Sequence, residues 1–137
     1  MRVRGIHHIG VVVRDAQAVA RTLRDALGLE VQHWEDYGPG VLRIGFVPVA
    51  GTLVELIQPL ADDFNRRWLD EHGEGIQHVA LQVDDIEDAM RWLRARGVEL
   101  REANPRPGAG NTLIAFLAQP LVEGLLVELT QPLQDGP

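Results

Sequence analysis

The chain has 137 residues, an apolar fraction of 45% and a formal net charge of −7 at pH 7. This length suits one domain or two small modules sharing a core, and the acidic balance argues against a nucleic-acid partner, which needs a basic face. The sequence contains no Cys, Ser or Lys, which excludes thiol and serine nucleophiles, Schiff-base lysines and thiolate metal sites. Chemistry is left to His, Asp, Glu, Arg, backbone dipoles and a metal ion.

Targeting signals are not apparent in the sequence. No apolar run is long enough to span a membrane, and Met1–Gly5 does not resemble the start of a signal peptide. We therefore expect a cytoplasmic protein with no membrane partner.

The first part of the chain predicts a βαβββ unit. Apolar spacing and the flanking residues Asp15 and Gly28 predict a helix over Ala16–Leu27. A loop rich in turn residues is predicted over Glu35–Gly40. The predicted strands are Ile6–Val13, Leu29–Trp34, Val41–Val47 and Thr52–Gln58.

The second part predicts the same order of elements after a connector. The predicted helices are Asp62–His72 in the connector and Ile86–Arg96 in the second unit. The predicted strands are Ile76–Val83, Val98–Arg101, Leu113–Ala118 and Leu125–Thr130. A Pro- and Gly-rich loop is expected over Ala103–Asn111, and a frayed tail over Gln134–Pro137.

Two pairs of segments show that one unit occurs twice. Leu53–Leu60 (LVELIQPL) and Leu126–Leu133 (LVELTQPL) agree at seven of eight positions, and the openings GIHHIGVVV and GIQHVALQV also correspond. Each copy carries one His near its start and one Glu near its end, and these are His8, Glu55, His78 and Glu128.

The paired His and Glu residues predict a metal site. If the copies pack about a pseudo-two-fold axis, two imidazoles and two carboxylates converge on one point, which is a common ligand set for divalent metals. The alternative is that repeat symmetry has retained two buried His–Glu hydrogen bonds with no ion.

The loop before the last two strands is a candidate for binding an anionic group. Its backbone N–H groups at Gly108, Gly110 and Asn111 could cradle such a group beside Arg106. A plain connection between strands is the alternative. Arg43 and Arg101 are further candidate partners for an anion.

Four segments of the chain resemble the vicinal oxygen chelate superfamily, and its methylmalonyl-CoA epimerase-like branch in particular. They are HHIGVVV at His7–Val13, GEGIQHVALQVDDIEDA at Gly73–Ala89, PRPGAGNTLIAF at Pro105–Phe116 and LVELTQP at Leu126–Pro132. The resemblance implies an α+β fold in which two tandem βαβββ modules form a curved, half-open mixed sheet around a central metal site. It also implies one domain over residues 1–137, with modules at about 5–60 and 75–133 and a connector at 61–74.

The resemblance further implies a site and its cofactor. His8, His78 and Glu128 match the epimerase's metal ligands. One divalent ion (Co, Ni, Zn, Mn or Fe) and a small-molecule substrate such as an acyl-CoA are expected, in a homodimer. Two departures matter: Glu55 stands where the family typically has Gln, and Gly38 stands where it usually has a glutamate base. Whether Glu35 or Asp36 replaces that base is open.

The complete set of His8, Glu55, His78 and Glu128 resembles that of bacterial glyoxalase I, in which ligand carboxylates also move the proton. We therefore assign Glu128 and Glu55 as candidate catalytic residues. The favoured function is a metal-dependent epimerase or isomerase that abstracts a proton alpha to a carbonyl or thioester through a metal-stabilised enolate. The alternatives are a lactoylglutathione lyase, an extradiol dioxygenase with Fe(II), and a non-catalytic small-molecule binding protein.

Overall fold

The computed structural model describes residues 1–133, over which the chain forms three helices and eight strands. The helices are α1 (Ala16–Leu27), α2 (Phe64–His72) and α3 (Ile86–Ala95). The strands are β1 (Val3–Val12), β2 (His33–Tyr37), β3 (Leu42–Val49), β4 (Thr52–Pro59), β5 (Gly75–Val83), β6 (Arg106–Gly108), β7 (Thr112–Phe116) and β8 (Leu126–Pro132). The tail predicted to fray, Gln134–Pro137, lies outside the described residues.

Within residues 1–133, each helix is too short or too polar to cross a membrane.

The residues group into two compact units, and the strands of each unit form a mixed sheet. We call His8–Gln77 the N unit, and Met1–His7 together with the described residues from His78 onward the C unit. In the N unit the strand order is β2-β3-β4 and then the part of β1 from His8 onward, and in the C unit it is β6-β7-β8 and then the part of β5 from His78 onward. The pairs β1–β4 and β5–β8 are parallel, while the other pairs within each unit are antiparallel. The predicted α+β class and the repeated βαβββ order are confirmed.

Each helix is preceded by an aspartate whose side chain accepts a hydrogen bond from a backbone N–H in the first turn. Asp15 accepts from Ala18, Asp63 accepts from Arg66, and Asp85 accepts from Asp88. The bounds of α1 match the prediction, and the helix ends at Gly28, whose φ of 67° lies in the left-handed region that glycine adopts without a steric cost.

One face of the sheet in each unit packs against a helix. In the C unit, α3 buries its apolar side chains against Val83, Ala115 and Leu129. In the N unit, α1 packs in the same way against Val47 and Leu56. Because successive strand residues point to opposite faces, Glu55 and Glu128 lie on the face away from the helix. We call this the site face of each unit.

Two predicted strands are wrong. The predicted strand Leu29–Trp34 is replaced by β2 at His33–Tyr37, because this polar segment pairs with β3 and the turn begins only at Gly38. The predicted strand Val98–Arg101 is reduced to an isolated bridge between Leu100 and Leu117. Pairing with a partner strand, which local residue preference does not reveal, decides both cases.

The sequence that is repeated around each glutamate also contains a glutamine that holds the helix. Ala16, the first residue of α1, donates its N–H to Gln58 Oε1 at 2.9 Å. Ile86, the first residue of α3, donates to Gln131 Oε1 at 3.0 Å. Each glutamine therefore satisfies a helix N–H that has no partner within the helix and ties the helix to the strand that carries the site glutamate.

We predict that Gln58→Ala and Gln131→Ala each lower the free energy of unfolding by about 1 kcal/mol, because each leaves a part-buried helix N–H without this acceptor. Urea denaturation followed by circular dichroism measures the change. Gln17→Ala, an exposed position of α1, is the control and should stay close to wild type. An equal loss in all three variants would contradict the assigned role.

Candidate active site

The N unit holds a buried His–Glu pair on its site face. His8 Nδ1 lies 3.1 Å from Glu55 Oε2, and the two residues are 3% and 4% exposed. The parallel register of β1 and β4 places Glu55 beside Gly10, two residues after His8 on the same face. Since Gly10 has no side chain, the imidazole and the carboxylate can approach each other diagonally across the strands.

The C unit holds the equivalent pair. His78 Nε2 lies 3.6 Å from Glu128 Oε1, and both residues are buried. Glu128 is in register with Ala80 of β5, which is again small and two residues after the histidine. The sequence therefore repeats not only the ligand types but also the small residue that lets them meet.

A phenylalanine lies opposite each glutamate on the antiparallel side. Phe46 of β3 is in register with Glu55, and Phe116 of β7 is in register with Glu128. The ring of Phe116 makes an edge contact with His78, with centroids 5.4 Å apart. Each carboxylate therefore has an apolar neighbour on one side, which limits its hydration.

Burial changes the protonation of these groups. Burial raises the pKa of Glu128 to about 7, although the charges of His78, Arg106 and His7 act to lower it. Burial also lowers the pKa of His8 to about 4. At pH 7 His8 is therefore neutral, which is the form that binds metals, and Glu128 releases its proton near neutrality.

The residues present fit a divalent cation. Each pair belongs to a group of His and Glu ligand atoms that lie within 4.8 Å of one another. Neutral imidazole nitrogens with carboxylate oxygens suit divalent metals such as Zn, Co, Ni, Mn and Fe. A positive charge at the pairs would also offset the cost of ionising carboxylates that are this deeply buried.

The predicted anion loop is a β-hairpin. Gly108 in β6 pairs with Thr112 in β7, and Gly110 and Asn111, with φ of 72° and 59°, form the turn between the strands. Leu133 donates its N–H to the Asn111 carbonyl at 3.0 Å, so this turn also holds the end of the described chain.

Arg106 is the member of the loop that approaches the C-unit pair. Its Cζ lies 6.0 Å from the centroid of the Phe116 ring, and its charge lowers the pKa of Glu128. Its side chain is 42% exposed and donates from Nε to Glu102 Oε2 at 2.8 Å. Glu102 was not identified from the sequence, because its role depends on contacts that residue spacing does not encode.

The two carboxylates near Gly38 differ in their position. Glu35 is in register with Ile44, and Ile44 is in register with Ile57. Ile57 lies two residues after Glu55 in β4, so it shares the site face with that glutamate, and Glu35 does too. Asp36 points to the other face, where its carboxylate lies 3.9 Å from Arg43 Nε and its side chain is 70% exposed. Of these two residues, Glu35 is the one on the site face.

A repeated βαβββ fold with a buried His–Glu pair in each copy defines a class of proteins built from paired modules. The family model of the Glyoxalase/Bleomycin resistance protein/Dioxygenase superfamily matches residues 7–116. The chain belongs to this superfamily, and the predicted resemblance is confirmed.

Named relatives and a solved structure agree with this membership. Ethylmalonyl-CoA/methylmalonyl-CoA epimerase of Cereibacter sphaeroides is 30% identical over 129 residues, which cover 92% of this chain and 96% of the relative. A probable lactoylglutathione lyase of Synechocystis is 29% identical over 90% of this chain and 92% of the relative. A variant of Streptomyces coelicolor methylmalonyl-CoA epimerase in complex with 2-nitronate-propionyl-CoA has a TM-score of 0.90 and 26% identity, covering 97% of this chain and 100% of its own. These relatives are enzymes, as predicted for this chain.

We predict that Glu128→Gln stabilises the metal-free protein increasingly as the pH rises from about 4.5 to about 7. In this window folded Glu128 keeps a proton that it releases when the chain unfolds, because burial raises its pKa from 4.5 to about 7. Wild type therefore loses stability with rising pH, and the variant lacks this loss. The difference in the free energy of unfolding should grow by up to about 3 kcal/mol.

Urea denaturation of chelator-treated protein at several pH values measures this difference. The lowered pKa of His8 acts with the opposite sign, since neutral His8 favours the folded state as the pH rises, so the variant must be compared with wild type at each pH. Glu123→Gln, at an exposed position, is the control. A difference that does not change with pH would show that the buried carboxyl does not hold its proton.

Proposed function

We propose that this protein is a metal-dependent epimerase or isomerase that abstracts a proton alpha to a carbonyl or thioester and passes through an enolate, as a methylmalonyl-CoA epimerase-like enzyme. The observation that carries the proposal is the equivalent buried His–Glu pair on the site face of each unit. The epimerase relatives support the same class of reaction.

We propose that His8, Glu55, His78 and Glu128 together bind one divalent ion of Co, Ni, Zn, Mn or Fe. The support is that both pairs are buried and combine imidazole nitrogens with carboxyl oxygens. When bound, the ion would supply Lewis-acid stabilisation of the negative charge that develops on the substrate oxygens. The remaining chemistry falls to the side chains of the chain itself.

Glu128 is the proposed proton acceptor. Glu128 is 3% exposed, and in the metal-free protein burial raises its pKa to about 7, so this carboxyl group is more basic than an exposed glutamate. In the proposed reaction Glu128 takes the proton from the carbon next to the carbonyl. Glu55, its repeat equivalent, starts as the carboxylic acid and delivers its proton to the opposite face of that carbon, which inverts the centre and leaves Glu55 as the carboxylate; exchange of protons with solvent then restores both groups.

Substrate contacts are proposed at the β6–β7 hairpin, through Arg106, Gly108, Gly110 and Asn111. The approach of Arg106 to Phe116 supports this assignment for the arginine, and the backbone of the turn supports it for the other three residues. We propose an acyl-CoA substrate, because the Streptomyces coelicolor relative is in complex with 2-nitronate-propionyl-CoA.

We also propose that the chain forms one domain and acts as a cytoplasmic homodimer.

A lactoylglutathione lyase is the second candidate function. The observation that favours it is the buried carboxylate at Glu55, which gives the two units identical ligand types. Both reactions begin with loss of a proton next to a carbonyl, so the substrate decides between them. Proton exchange with methylmalonyl-CoA supports the epimerase, whereas turnover of the hemithioacetal of methylglyoxal and glutathione supports the lyase.

We predict that protein purified without chelator contains about one divalent ion per chain, and that His8→Ala/His78→Ala loses it. Metal analysis by mass spectrometry makes the measurement. His33→Ala/His72→Ala changes two histidines outside the pairs and should retain the ion. Failure of wild type to retain or take up Co, Ni or Zn would refute the metal site.

We predict that Glu128→Gln retains much of the metal but slows solvent-proton exchange at the substrate carbon by about 10²–10⁴-fold, the usual contribution of a general base. Incubation with methylmalonyl-CoA in heavy water, followed by mass spectrometry of the substrate, measures exchange. Glu123→Gln is again the control. Wild-type exchange rates in metal-loaded Glu128→Gln would rule out Glu128 as the base.

A further inference from the structure

Two arginine side chains of the C unit lie over one aromatic ring beside Glu128. The Cζ atoms of Arg101 and Arg106 are 4.7 Å and 6.0 Å from the centroid of Phe116. Phe116 is the residue in register with Glu128, and its ring contacts His78. Two cations therefore lie next to the proposed proton acceptor.

Hydrogen bonds fix this arrangement. Arg101 donates its backbone N–H to the Phe116 carbonyl at 2.9 Å. The Phe116 N–H donates to Glu102 Oε1 at 2.8 Å, and the other Glu102 oxygen accepts from Arg106 Nε at 2.8 Å. Glu102 is only 11% exposed at its side chain, so it acts as an anchor between the ring and the arginine.

The guanidinium groups suit an anionic ligand. Stacking on a ring uses the flat face of a guanidinium, while its N–H donors point outward in the plane, where carboxylate and phosphate oxygens bind. Both arginine side chains reach solvent. The two guanidinium groups also repel each other. Burial and the charge of Arg106 lower the pKa of Arg101, whereas the charge of Glu102 raises it. A bound anion would stabilise both cations.

The internal repeat shows that the fold does not require Arg101. In the N unit, Gln32 donates its N–H to the Phe46 carbonyl at 2.8 Å, as Arg101 does to Phe116. Phe46 and Phe116 are equivalent, since each is in register with the site glutamate of its unit. A neutral glutamine therefore occupies the position of Arg101 on the same scaffold.

The same comparison applies to Arg106. Arg106 is in register with Ile114 in the C unit, and Glu35 is in register with Ile44 at the equivalent place in the N unit. One copy thus carries a carboxylate where the other carries a guanidinium. Because the two units share their topology but not these charges, the arginine pair is a feature of the C-unit site and not of the fold.

We propose that Arg101 and Arg106 bind an anionic group of the substrate, so that the enzyme prefers carbon acids carrying a carboxylate or phosphate group over neutral ones. This inference rests on the proposed function, because it defines the substrate class of the same site. Two sources share this chemistry: a carboxylate on the acyl group, and the phosphates of coenzyme A. In either case Arg101 is a specificity residue that acts on binding.

Isothermal titration calorimetry of protein purified without chelator tests the proposal with three thioesters. Methylmalonyl-pantetheine carries a carboxylate but no phosphate, propionyl-CoA carries phosphates but no acyl carboxylate, and propionyl-pantetheine carries neither. The variant is Arg101→Gln, which introduces the residue that the N unit has at this position. Arg96→Gln is the matched control, because Arg96 also stacks on an aromatic ring of the C unit, with its Cζ 3.5 Å from the centroid of Trp92.

We expect Arg101→Gln to weaken binding of one anionic thioester by about tenfold while propionyl-pantetheine binding stays unchanged. A loss confined to methylmalonyl-pantetheine identifies the acyl carboxylate, and a loss confined to propionyl-CoA identifies the phosphates. Equal losses for all three thioesters, or a loss for none, would overturn the proposal, as would the same pattern in Arg96→Gln. Absence of proton exchange in wild type would refute the proposed function while leaving the anion-binding result standing.

Discussion

The rest of this structure depends on the burial of two carboxylates inside otherwise apolar strands. Glu55 and Glu128 are 4% and 3% exposed, and each lies between a small residue on one neighbouring strand and a phenylalanine on the other. Such groups destabilise a fold unless they are protonated, paired or bound to a cation. The raised pKa of Glu128 is the direct consequence of this placement. The same burial that limits stability produces a carboxyl group whose pKa in the metal-free protein is about 7.

The repeated sequence explains how two such sites are built with few residues. The segment LVEL-x-QPL provides the glutamate on one face of a strand and, three residues later, a glutamine on the other face. Gln58 and Gln131 accept hydrogen bonds from the first residues of α1 and α3. One short segment thus holds the start of a helix and places a glutamate on the site face, which accounts for the close agreement between its two copies.

The two units have diverged where the substrate is proposed to bind. The N unit carries Gln32 and Glu35 at the positions where the C unit carries Arg101 and Arg106. The two units therefore carry the same residue types at the buried pair and different charges at these outer positions. Glutamates in both units with unlike charges around them suit the proposed reaction, which needs two bases of one kind and binds an unsymmetrical molecule.

Much of this protein follows from the sequence alone. The sequence predicts the repeat, the helix α1 with its caps, and the four His and Glu residues. Each of these depends on periodicity, on local capping or on a repeated sequence segment. The sequence does not predict the position of β2 or the absence of a strand at Val98–Arg101, because pairing with neighbouring strands decides both. Likewise, only the folded chain shows that Glu35 and not Asp36 faces the site, and that Glu102 links Arg106 to Phe116. Residue types and their spacing determine which groups are available for chemistry. Strand register, which joins residues far apart in sequence, decides which of those groups meet and how deeply they are buried.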